Sequence, residues 1–563
     1  NVLMTVAVIG ASAIGEWSEG ASVVFLFGLA ELLESMSIAR AKNAIQSLLK
    51  LTPDTAIVKR GDQFLEVKAV EVKVSEIINV KSGARVPLDG VVITGKSSIN
   101  QAPITGESMP VEKQPGDLVF AGTINGEGSL DIKVTKEFKD TTISKIIRLV
   151  SDAESKKAPS QRFVDSFAKI YTPLVFILAI IVLFAGPLLF NGGWLDWFYK
   201  SLVLLVIACP CALVISTPVS IVSGLTAMAR RGILIKGGSI LEEVGKLKAI
   251  AVDKTGTITE GQPLVSSVTA IGLHKQEKVV SVAASIDVHS DHPLAQAVIK
   301  YATKLKINLN RSENYQAITG KGALGEIDKK VYFVGNHRLA HEFGSCTPEI
   351  EKILVGLEDL ALSVVIVGLK SQETQKGEVL GIIAIGDTIR TNVTNAVRAL
   401  HQAGVEKIMM LSGDNQRTVN AIAKQAGIDE AYGELLPENK VERIKKLISN
   451  YKFVGMIGDG VNDAPAMATA TIGIAMGGAG TDTAIEVADI TLMNDDLSKV
   501  AEAVLLGRRT VRIIKVNISF SLLVKAVFLV LALTGNSSLW LAIFADAGAT
   551  LIVIANSLRL LRN

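Results

Sequence analysis

The sequence predicts a multidomain α-helical membrane protein with two soluble parts, one β-rich and one α/β with an inserted α+β domain. Apolar stretches occur in three pairs, around residues 1–38, 168–229 and 516–558. The mean hydropathy of +0.39 is high for a soluble chain, yet 20% of the 563 residues are charged. Such a mixture indicates membrane helices combined with sizeable soluble domains.

Each apolar pair is predicted to form a hairpin through the membrane. Basic residues favour the cytoplasmic side of a membrane. They cluster beside the pairs at Arg40 and Lys42, Arg230 and Arg231, Arg508, Arg509 and Arg512, and Arg559 and Arg562. We therefore expect both long polar insertions and the C-terminus in the cytoplasm.

The two insertions carry different patterns. Apolar and polar residues alternate over 56–78 and 128–135 in the first insertion, which predicts β-strands. The second alternates strand-like runs, such as LKAIAVD and FVGMIGDG, with helical runs such as RTVNAIAKQAG. That order is typical of a parallel α/β sheet. Residues 263–374 have their own strands and helices, and we expect an inserted domain there.

Composition limits the classes of function. The 58 basic and 55 acidic residues leave a net charge of +3, which argues against a nucleic-acid partner. Three cysteines cannot form a disulfide framework, and Cys346 is given no role. The chain starts at Asn1, directly in apolar sequence, so we interpret it as a fragment whose upstream part includes further membrane helices. We expect a monomer surrounded by membrane lipid.

A candidate nucleophile follows the strand-like run IAV in the segment AVDKTGTITEG. Asp253 lies at the C-terminal end of that strand, the edge of open α/β sheets where ligands bind. A carboxylate there can attack a phosphoryl group and form an aspartyl-phosphate. Since both reactants are anionic, such a site also needs a cation and fixed positive groups.

Other predicted strand ends supply those groups. MIGDGVNDAPA offers Asp459 and Asp463, hard oxygen ligands suited to Mg²⁺. LLPENK offers Lys440, and LSGD offers Ser412 and Gly413 as donors to phosphate oxygens. Any one piece alone is an ordinary acidic loop, because Asp and Gly are common in turns. Several pieces at strand ends favour a phosphoryl-transfer site.

DKTGTIT, ITGES and GDGVNDAPA resemble the motifs of P-type ATPases, and the resemblance extends over essentially the whole chain. It implies that ATP phosphorylates Asp253 and that Mg²⁺ is held there by the Thr255 backbone and Asp459. Glu107 would position water to hydrolyse the phosphoenzyme, as a general base can. The other catalytic residues that the resemblance implies are Lys254, Thr105, Gly106 and Asp414. A phosphatase or phosphomutase could use a similar sheet, but neither needs membrane hairpins.

The resemblance also implies a haloacid dehalogenase-like, Rossmann-type phosphorylation domain and a β-rich actuator domain. The expected domains are a transmembrane hairpin at 1–41, with its first helix truncated, the actuator at 42–158, a hairpin at 159–229, the phosphorylation domain at 230–262 and 375–510, the nucleotide-binding domain at 263–374, and a hairpin at 511–563.

SDHPLAQAV and ITGKGALG stand out within the inserted segment. Glycines let a backbone approach a phosphate or ribose, although a lone histidine is more often structural. The pair resembles the nucleotide-binding domain of the heavy-metal branch. The ATP-binding residues so implied are Asp287, His292, Pro293, Gly320, Gly322 and Asn336. Asp287 departs from the glutamate usual in that branch.

VIACPCALVIS lies within an uncharged run long enough to span a bilayer. On an unbroken helix, Cys209 and Cys211 would point about 200° apart. Pro210 removes a backbone hydrogen bond and opens the helix, so both sulfurs can face one interior point. Thiolates select Zn²⁺, Cu(I) and similar metals. The alternative is a proline kink with two packed thiols.

The last hairpin carries only two charges from Val516 to Leu558, Lys525 and Asp546. Charge inside a membrane normally marks a functional site with a partner. Asp546 could pair with Lys525 in the empty protein and ligate a metal together with the two thiolates. Lys525 and the Asp-x-Gly sequence resemble the zinc/cadmium/lead subgroup, whereas the copper subgroup carries uncharged residues. A purely structural ion pair is the alternative.

We therefore expect an ATP-driven exporter of Zn²⁺, Cd²⁺ or Pb²⁺ in the plasma or inner membrane. Glu19 could accept the ion on its outward path, and Glu31 could lie where it enters from the cytoplasm. The alternatives are a Cu(I) exporter and a non-transporting membrane phosphatase or metal sensor. A metal-binding domain upstream of Asn1 is left open. The six histidines do not cluster along the chain, so no second metal-binding module is expected.

Overall fold

The computed structural model describes residues 2–49, 53–61, 63–101, 110–144, 158–190, 193–207, 210–360, 362–370, 377–459, 463–477, 486–534 and 536–562. The chain divides into two compact units, the first Asn1–Lys246 with Glu502–Asn563 and the second Leu247–Ala501. The first contains the apolar helices and the β-rich part, and the second contains the α/β part.

The α-helices of the described residues are, in chain order, α1 Val2–Ala13, α2 Trp17–Leu49, α3 Pro159–Phe190, α4 Trp194–Ile207, α5 Cys211–Ala229, α6 Gly238–Val244, α7 Gln276–Asp287, α8 Pro293–Lys304, α9 His337–Glu342, α10 Pro348–Asp359, α11 Val393–Gln402, α12 Gln416–Ala426, α13 Pro437–Tyr451, α14 Ala464–Thr469, α15 Ser498–Leu533 and α16 Leu539–Leu558.

The β-strands are β1 Thr55–Arg60, β2 Gln63–Lys68, β3 Ile77–Val80, β4 Gly90–Thr94, β5 Ser97–Asn100, β6 Val111–Lys113, β7 Leu118–Val119, β8 Ile124–Asn125, β9 Leu130–Val134, β10 Ile233–Ile235, β11 Ala249–Asp253, β12 Leu264–Ala270, β13 Glu313–Ile318, β14 Gly322–Ile327, β15 Lys330–Gly335, β16 Ser363–Lys370, β17 Gly377–Gly386, β18 Lys407–Leu411, β19 Glu430–Tyr432, β20 Val454–Gly458, β21 Ile472–Met476 and β22 Ile490–Leu492.

The predicted apolar pairs are helical. Among the described residues, four stretches are long and apolar enough to cross a membrane: Pro159–Phe190, Trp194–Ala229, Ser498–Leu533 and Leu539–Leu561. Shorter apolar stretches cover Met4–Ala13 and Trp17–Leu29. Helix α2 continues to Leu49, beyond residue 41, where the sequence placed the end of the first hairpin.

Pro210 separates two helices, as the sequence predicted. Helix α4 ends at Ile207 and α5 begins at Cys211, with Pro210 at the N-cap position. A proline ring cannot donate a backbone hydrogen bond and clashes with the preceding turn. The Pro210 carbonyl instead accepts from the N–H groups of Leu213 and Val214, at 3.1 and 3.0 Å, and so starts the new helix.

The polar insertion of the first unit is β-rich. Strands β2-β1-β3-β9-β4-β7 form one sheet and β6-β5-β8 another, with antiparallel pairing throughout. The alternating residues of β1, β3 and β9 that face inward, such as Val58, Ile78 and Ile132, are fully buried in one apolar core. The period-two pattern of the sequence therefore matches the structure.

The second unit contains the predicted parallel sheet, with the order β22-β21-β20-β11-β18-β19. Every neighbouring pair in that order is parallel. Central strands β11 and β20 are buried along their whole length, as expected for strands covered on both faces.

A six-stranded antiparallel sheet, β12-β17-β16-β15-β14-β13, forms the predicted inserted part together with α7–α10. Strand β17 lies in this sheet, although the sequence analysis ended the insertion at residue 374. The near-continuous apolar run GEVLGIIAIG has the composition of a buried parallel strand, so pattern alone assigned it to the other sheet.

Candidate functional site

The predicted nucleophile and its partners meet at one edge of the parallel sheet. Asp253 is the last residue of β11 and lies opposite Leu411, the last residue of β18. On the other side, β20 ends at Gly458 and Asp459 follows directly. Because the strands are parallel, the side chains that follow their carboxyl ends converge there.

Lys440 is the positive centre of this edge. Its Nζ donates to Asp253 Oδ1 at 2.6 Å and to Asp463 Oδ1 at 2.7 Å. All three side chains are at least nine-tenths buried. Burial lowers the pKa of Lys440, but Asp253 and Asp463 outweigh that effect and raise it above its ordinary value. Lys440 thus remains charged, as a buried ion pair requires.

Three carboxylates form a candidate cation site. One oxygen from each of Asp253, Asp459 and Asp463 lies within 4.8 Å of the others. Burial, then the charge of Asp253, raises the pKa of Asp459 to about 6. The same causes raise the pKa of Asp463. Clustered hard oxygen donors that repel one another fit a divalent cation such as Mg²⁺.

The turn after Asp253 is shaped for close approach. The Thr255 N–H donates to Asp253 Oδ2 at 3.0 Å. Gly256 has a φ of +71°, and a Cβ at this position would lie 2.1 Å from Asp459 Oδ2. Glycine is therefore required both for the left-handed conformation and for the space that the carboxylate occupies.

Arg390 was missed by the sequence analysis and holds this turn in place. Its guanidinium donates to the carbonyls of Gly256 at 3.0 Å and Thr259 at 3.2 Å. It also contacts Asp495, and nearby Asp387 accepts a hydrogen bond from the Thr259 hydroxyl. The only sequence signal was the polar segment GDTIR directly after an apolar strand.

Lys254 and Asp414, both predicted catalytic residues, form an ion pair. Asp414 also accepts from the Ser363 hydroxyl at 3.0 Å, and its N–H donates to the Ser412 hydroxyl at 3.2 Å. The Ser412 N–H donates to the Tyr432 carbonyl, so its backbone donor is already used within the sheet. These contacts fix the loop that follows β18, including Gly413.

Part of the predicted nucleotide site is assembled in the antiparallel sheet. Asn336 donates from Nδ2 to the Gly320 carbonyl at 2.9 Å, and Gly322 lies opposite Gly335 in β14–β15. Asp287 ends α7, and His292 caps α8, where Pro293 is the first residue. The structure thus joins Asn336 to Gly320 directly and places Asp287 and His292 on two neighbouring helices.

Asp287→Asn is expected to flatten the pH dependence of local stability in α7. Burial raises the pKa of Asp287 to about 7, so the folded state holds a proton that the unfolded chain releases near pH 4. The stability contribution is present below pH 4 and lost as pH rises to 7, by at most about 4 kcal/mol. Hydrogen exchange of α7 in the whole chain, between pH 5 and 8, measures this.

The matched control is Asp328→Asn, an exposed aspartate in a turn of the same sheet. Its exchange profile should follow that of the unaltered chain. A pH dependence of α7 exchange that is the same with Asp287→Asn would contradict the prediction.

Lys525 and Asp546 form an ion pair between membrane helices α15 and α16. Lys525 Nζ lies 3.1 Å from Asp546 Oδ1, and both side chains are about nine-tenths buried. The same ammonium donates to the Ile207 carbonyl, the last residue of α4, at 3.1 Å. The pair therefore lies beside the end of the helix that precedes the Cys-Pro-Cys segment.

Glu19 contacts a residue that the sequence analysis missed. The Tyr199 hydroxyl donates to Glu19 Oε2 at 2.6 Å and accepts from the Leu539 N–H at 3.1 Å. These bonds connect α2, α4 and the start of α16. Glu31 is exposed on α2. A tyrosine in an apolar helix gave no sequence signal of its own, because aromatic residues are common there.

Several predicted residues lie outside the described residues. They are Cys209 and the segment 102–109, which contains Thr105, Gly106 and Glu107. The backbone of Cys211 begins α5, but its side chain is outside the description as well. Their assigned roles stay predictions.

Two family models match the chain. Residues 247–471 match the haloacid dehalogenase-like hydrolases, and residues 50–151 match the P-type ATPase actuator domain. The first match covers strands β11, β18, β19 and β20 of the parallel sheet with the Asp253 edge, and the second covers the β-rich part.

Whole-length relatives agree with both matches. A probable cadmium-transporting ATPase of Staphylococcus aureus is 47% identical over 100% of this chain and 77% of its own length. A zinc/cadmium/lead-transporting P-type ATPase of Shigella sonnei is 40% identical over 100% of this chain and 75% of its own. A crystal structure of a zinc-transporting PIB-type ATPase in the E2·Pi state is similar, with a TM-score of 0.60 and 39% identity. That likeness covers 100% of this chain and 90% of the other.

Proposed function

This chain belongs to the P-type ATPases, in their heavy-metal-transporting branch, and on that premise we propose that it exports Zn²⁺, Cd²⁺ or Pb²⁺ from the cytoplasm at the expense of ATP. Moving a doubly charged ion against an inside-negative potential costs about 4.6 kcal/mol per 100 mV. Hydrolysis of ATP supplies that energy.

The ion pair of Lys525 and Asp546 between the membrane helices is the observation that favours a divalent metal as the transported ion. We assign the transported ion to Cys209, Cys211 and Asp546, with Lys525 as counter-charge. Two thiolates and a carboxylate bring three negative charges and the ammonium one positive charge, so a divalent ion makes the site neutral. Cu(I) would leave one negative charge buried, which is costly in a membrane. Divalent ions are therefore favoured over copper.

Lys525 also has a role in release. Its ammonium contacts Asp546, at 3.1 Å. When Asp546 turns towards a metal, Lys525 stays near enough to compensate its charge. When the thiolates are moved apart, Lys525 re-pairs with Asp546 and competes with the ion for that carboxylate. Glu19, held by Tyr199, would then accept the departing ion.

Asp253 would be the nucleophile of the ATPase reaction. Its carboxylate attacks the γ-phosphoryl group of ATP, an aspartyl-phosphate forms, and ADP leaves. The Lys440 ammonium, which donates to this carboxylate at 2.6 Å, would face the phosphoryl oxygens after the attack. Bound Mg²⁺, held by Asp459 and Asp463 beside Asp253, would neutralise phosphate charge. Glu107 would then orient the water that hydrolyses the intermediate.

The proposal predicts metal-selective ATP turnover. In the purified, metal-stripped protein, Zn²⁺, Cd²⁺ or Pb²⁺ should stimulate ATP hydrolysis at least about tenfold, and Cu(I) should stimulate it far less. Asp546→Asn should remove the stimulation, because it removes a charged ligand. Asp196→Asn, at an exposed aspartate in the first turn of α4, should leave it intact. Greater stimulation by Cu(I), or none by any metal, would refute the proposal.

A further inference from the structure

Two histidines, a cysteine and a glutamate that the function above does not use converge in the second unit. One ligand atom from each of His337, His341, Cys346 and Glu351 lies within 4.8 Å of the others. The sequence analysis gave Cys346 no role and expected no histidine cluster. The fold overturns the second expectation, since it brings side chains from α9, α10 and the loop between them to one point.

Helix geometry explains the convergence. His337 and His341 are four residues apart on α9, so their rings lie on one helix face, stacked with centroids 4.7 Å apart. Both rings approach a single oxygen, Glu351 Oε1, with their Nε2 atoms at 3.0 and 2.7 Å. Cys346 lies in the short connection to α10 and is the third cysteine of the chain.

The buried carboxylate of Glu358 lies beside His337, on the ring edge that faces away from Glu351. Glu358 is only 1% exposed, and within the described residues its Oε1 has no hydrogen-bond partner. That oxygen lies 3.8 Å from His337 Nδ1, on the opposite side of the ring from Glu351. Histidines that bind metals through one nitrogen usually donate the other N–H to a carboxylate, which fixes the ring and raises its basicity.

We propose that His337, His341, Cys346 and Glu351 form a second metal site, which takes one Zn²⁺ or a similar borderline-soft divalent ion from the aqueous phase. Nitrogen and sulfur donors select such ions over Mg²⁺ and Ca²⁺. A tetrahedral zinc site needs ligand atoms about 3.3–3.8 Å apart, given bonds of about 2.0–2.3 Å. The four ligand atoms here all lie within 4.8 Å of one another, so shifts of about 1 Å would reach that geometry. The His341 side chain is 58% exposed, so an ion can reach the site from solvent.

The charges also fit. A divalent ion would be neutralised by the Glu351 carboxylate and the Cys346 thiolate. The Cys346 thiol would release its proton to solvent as its sulfur binds the ion, because the thiolate is the form that ligates metals. With the ion on Nε2, the proton of His337 is confined to Nδ1 and can be donated to Glu358. The ion would thus fix the tautomer of His337 that presents its own Nδ1–H to Glu358, and it would connect α9 to α10.

The chain permits a clean spectroscopic test. It has three cysteines, so Cys209→Ser with Cys211→Ser leaves Cys346 as the only thiol. In that whole-chain background we expect about one equivalent of Co²⁺ to bind with a thiolate-to-cobalt charge-transfer band. Adding Cys346→Ser should abolish the band, and His341→Ala should weaken Co²⁺ binding at least tenfold.

Glu358→Gln tests the positioning role separately. It should keep the thiolate band but weaken Co²⁺ binding about tenfold, which is typical when a supporting carboxylate is lost. The matched control is His274→Ala, since His274 also lies near a glutamate, Glu378, at 3.6 Å. Its removal should not change Co²⁺ binding.

Alkylation of Cys346 is a second test of the metal site that does not depend on the folding of the ligand variants. In the background with Cys346 as sole thiol, Zn²⁺ should slow its reaction with N-ethylmaleimide at least tenfold. Absence of both the band and the protection would overturn the proposal, as would a band that survives Cys346→Ser. None of these readouts needs ATP turnover or transport, so failure of the proposed export function would leave them interpretable.

Discussion

Asp253→Asn is expected to reduce metal-stimulated ATP hydrolysis at least about 10³-fold and to abolish the acid-stable phosphoenzyme. The amide of asparagine is not a nucleophile. In the unaltered chain, Lys440 donates to the Asp253 carboxylate at 2.6 Å, whereas the variant would present an NH₂ group or a neutral oxygen to Lys440. Losses of this size are usual when a catalytic nucleophile is removed. Incorporation of the γ-phosphate of ATP, measured alongside phosphate release, tests both parts.

The fold should survive this substitution. Asparagine has the shape of aspartate, and Lys440 keeps its bond to Asp463 at 2.7 Å. Asp328→Asn serves as a matched control and should retain full turnover, because this aspartate is exposed in a turn. Asp253→Ala is tested as well, because the asparagine of the first variant can deamidate slowly to aspartate and alanine cannot. Turnover above a few per cent in both Asp253 variants would exclude the aspartyl-phosphate mechanism for this chain.

Lys525→Met is expected to slow turnover about 100-fold while it tightens binding of the transported metal. It leaves Asp546, about nine-tenths buried between α15 and α16, without its ammonium partner when no metal is bound. Breaking a buried pair in this way costs about 3 kcal/mol or more. Because a cation can take the place of the ammonium, the penalty falls mainly on the metal-free state. Release then becomes the slow step.

Two measurements distinguish a specific effect on metal release from a nonspecific loss of folding or turnover. The Zn²⁺ dissociation constant should fall, and the rate of Zn²⁺ release after phosphorylation should fall with turnover. Lys200→Met is a control in the same unit, since Lys200 lies over the Trp197 ring at 4.2 Å and forms no ion pair with any carboxylate of the described residues. A weaker Zn²⁺ affinity with unchanged release would remove Lys525 from the mechanism.

Most of the Asp253 site could be predicted closely because its parts follow strands; Lys440, which the sequence analysis placed at a strand end, instead lies on helix α13. Asp253, Asp459 and the residues after Leu411 are adjacent in sequence to apolar runs that are typical of buried parallel strands. When the strands are parallel, their carboxyl ends lie at the same edge of the sheet. Residues that directly follow different strands are therefore close together in space. Arg390 was missed because a charged residue in a loop gives no sign of which carbonyls it will meet.

The inserted sheet shows where pattern fails. Strand β17 is as apolar as the parallel strands, yet it pairs antiparallel with β12 and β16. Burial on both faces produces the same apolar run in either sheet, so composition could not tell which partner the strand would find. The sequence likewise gave no reason to place Tyr199 beside Glu19, because the two residues are far apart along the chain.

By itself, the sequence determined the membrane helices, the break at Pro210, the nucleophile at a strand end and the opposite charges of Lys525 and Asp546. These depend on hydropathy, backbone chemistry and local order. Only the tertiary structure decided which distant groups touch: Lys440 with two carboxylates, Lys525 with the end of α4, and His337 and His341 with Cys346 and Glu351. The reason is physical, because such contacts depend on how helices and strands pack, and packing depends on all of their surfaces together.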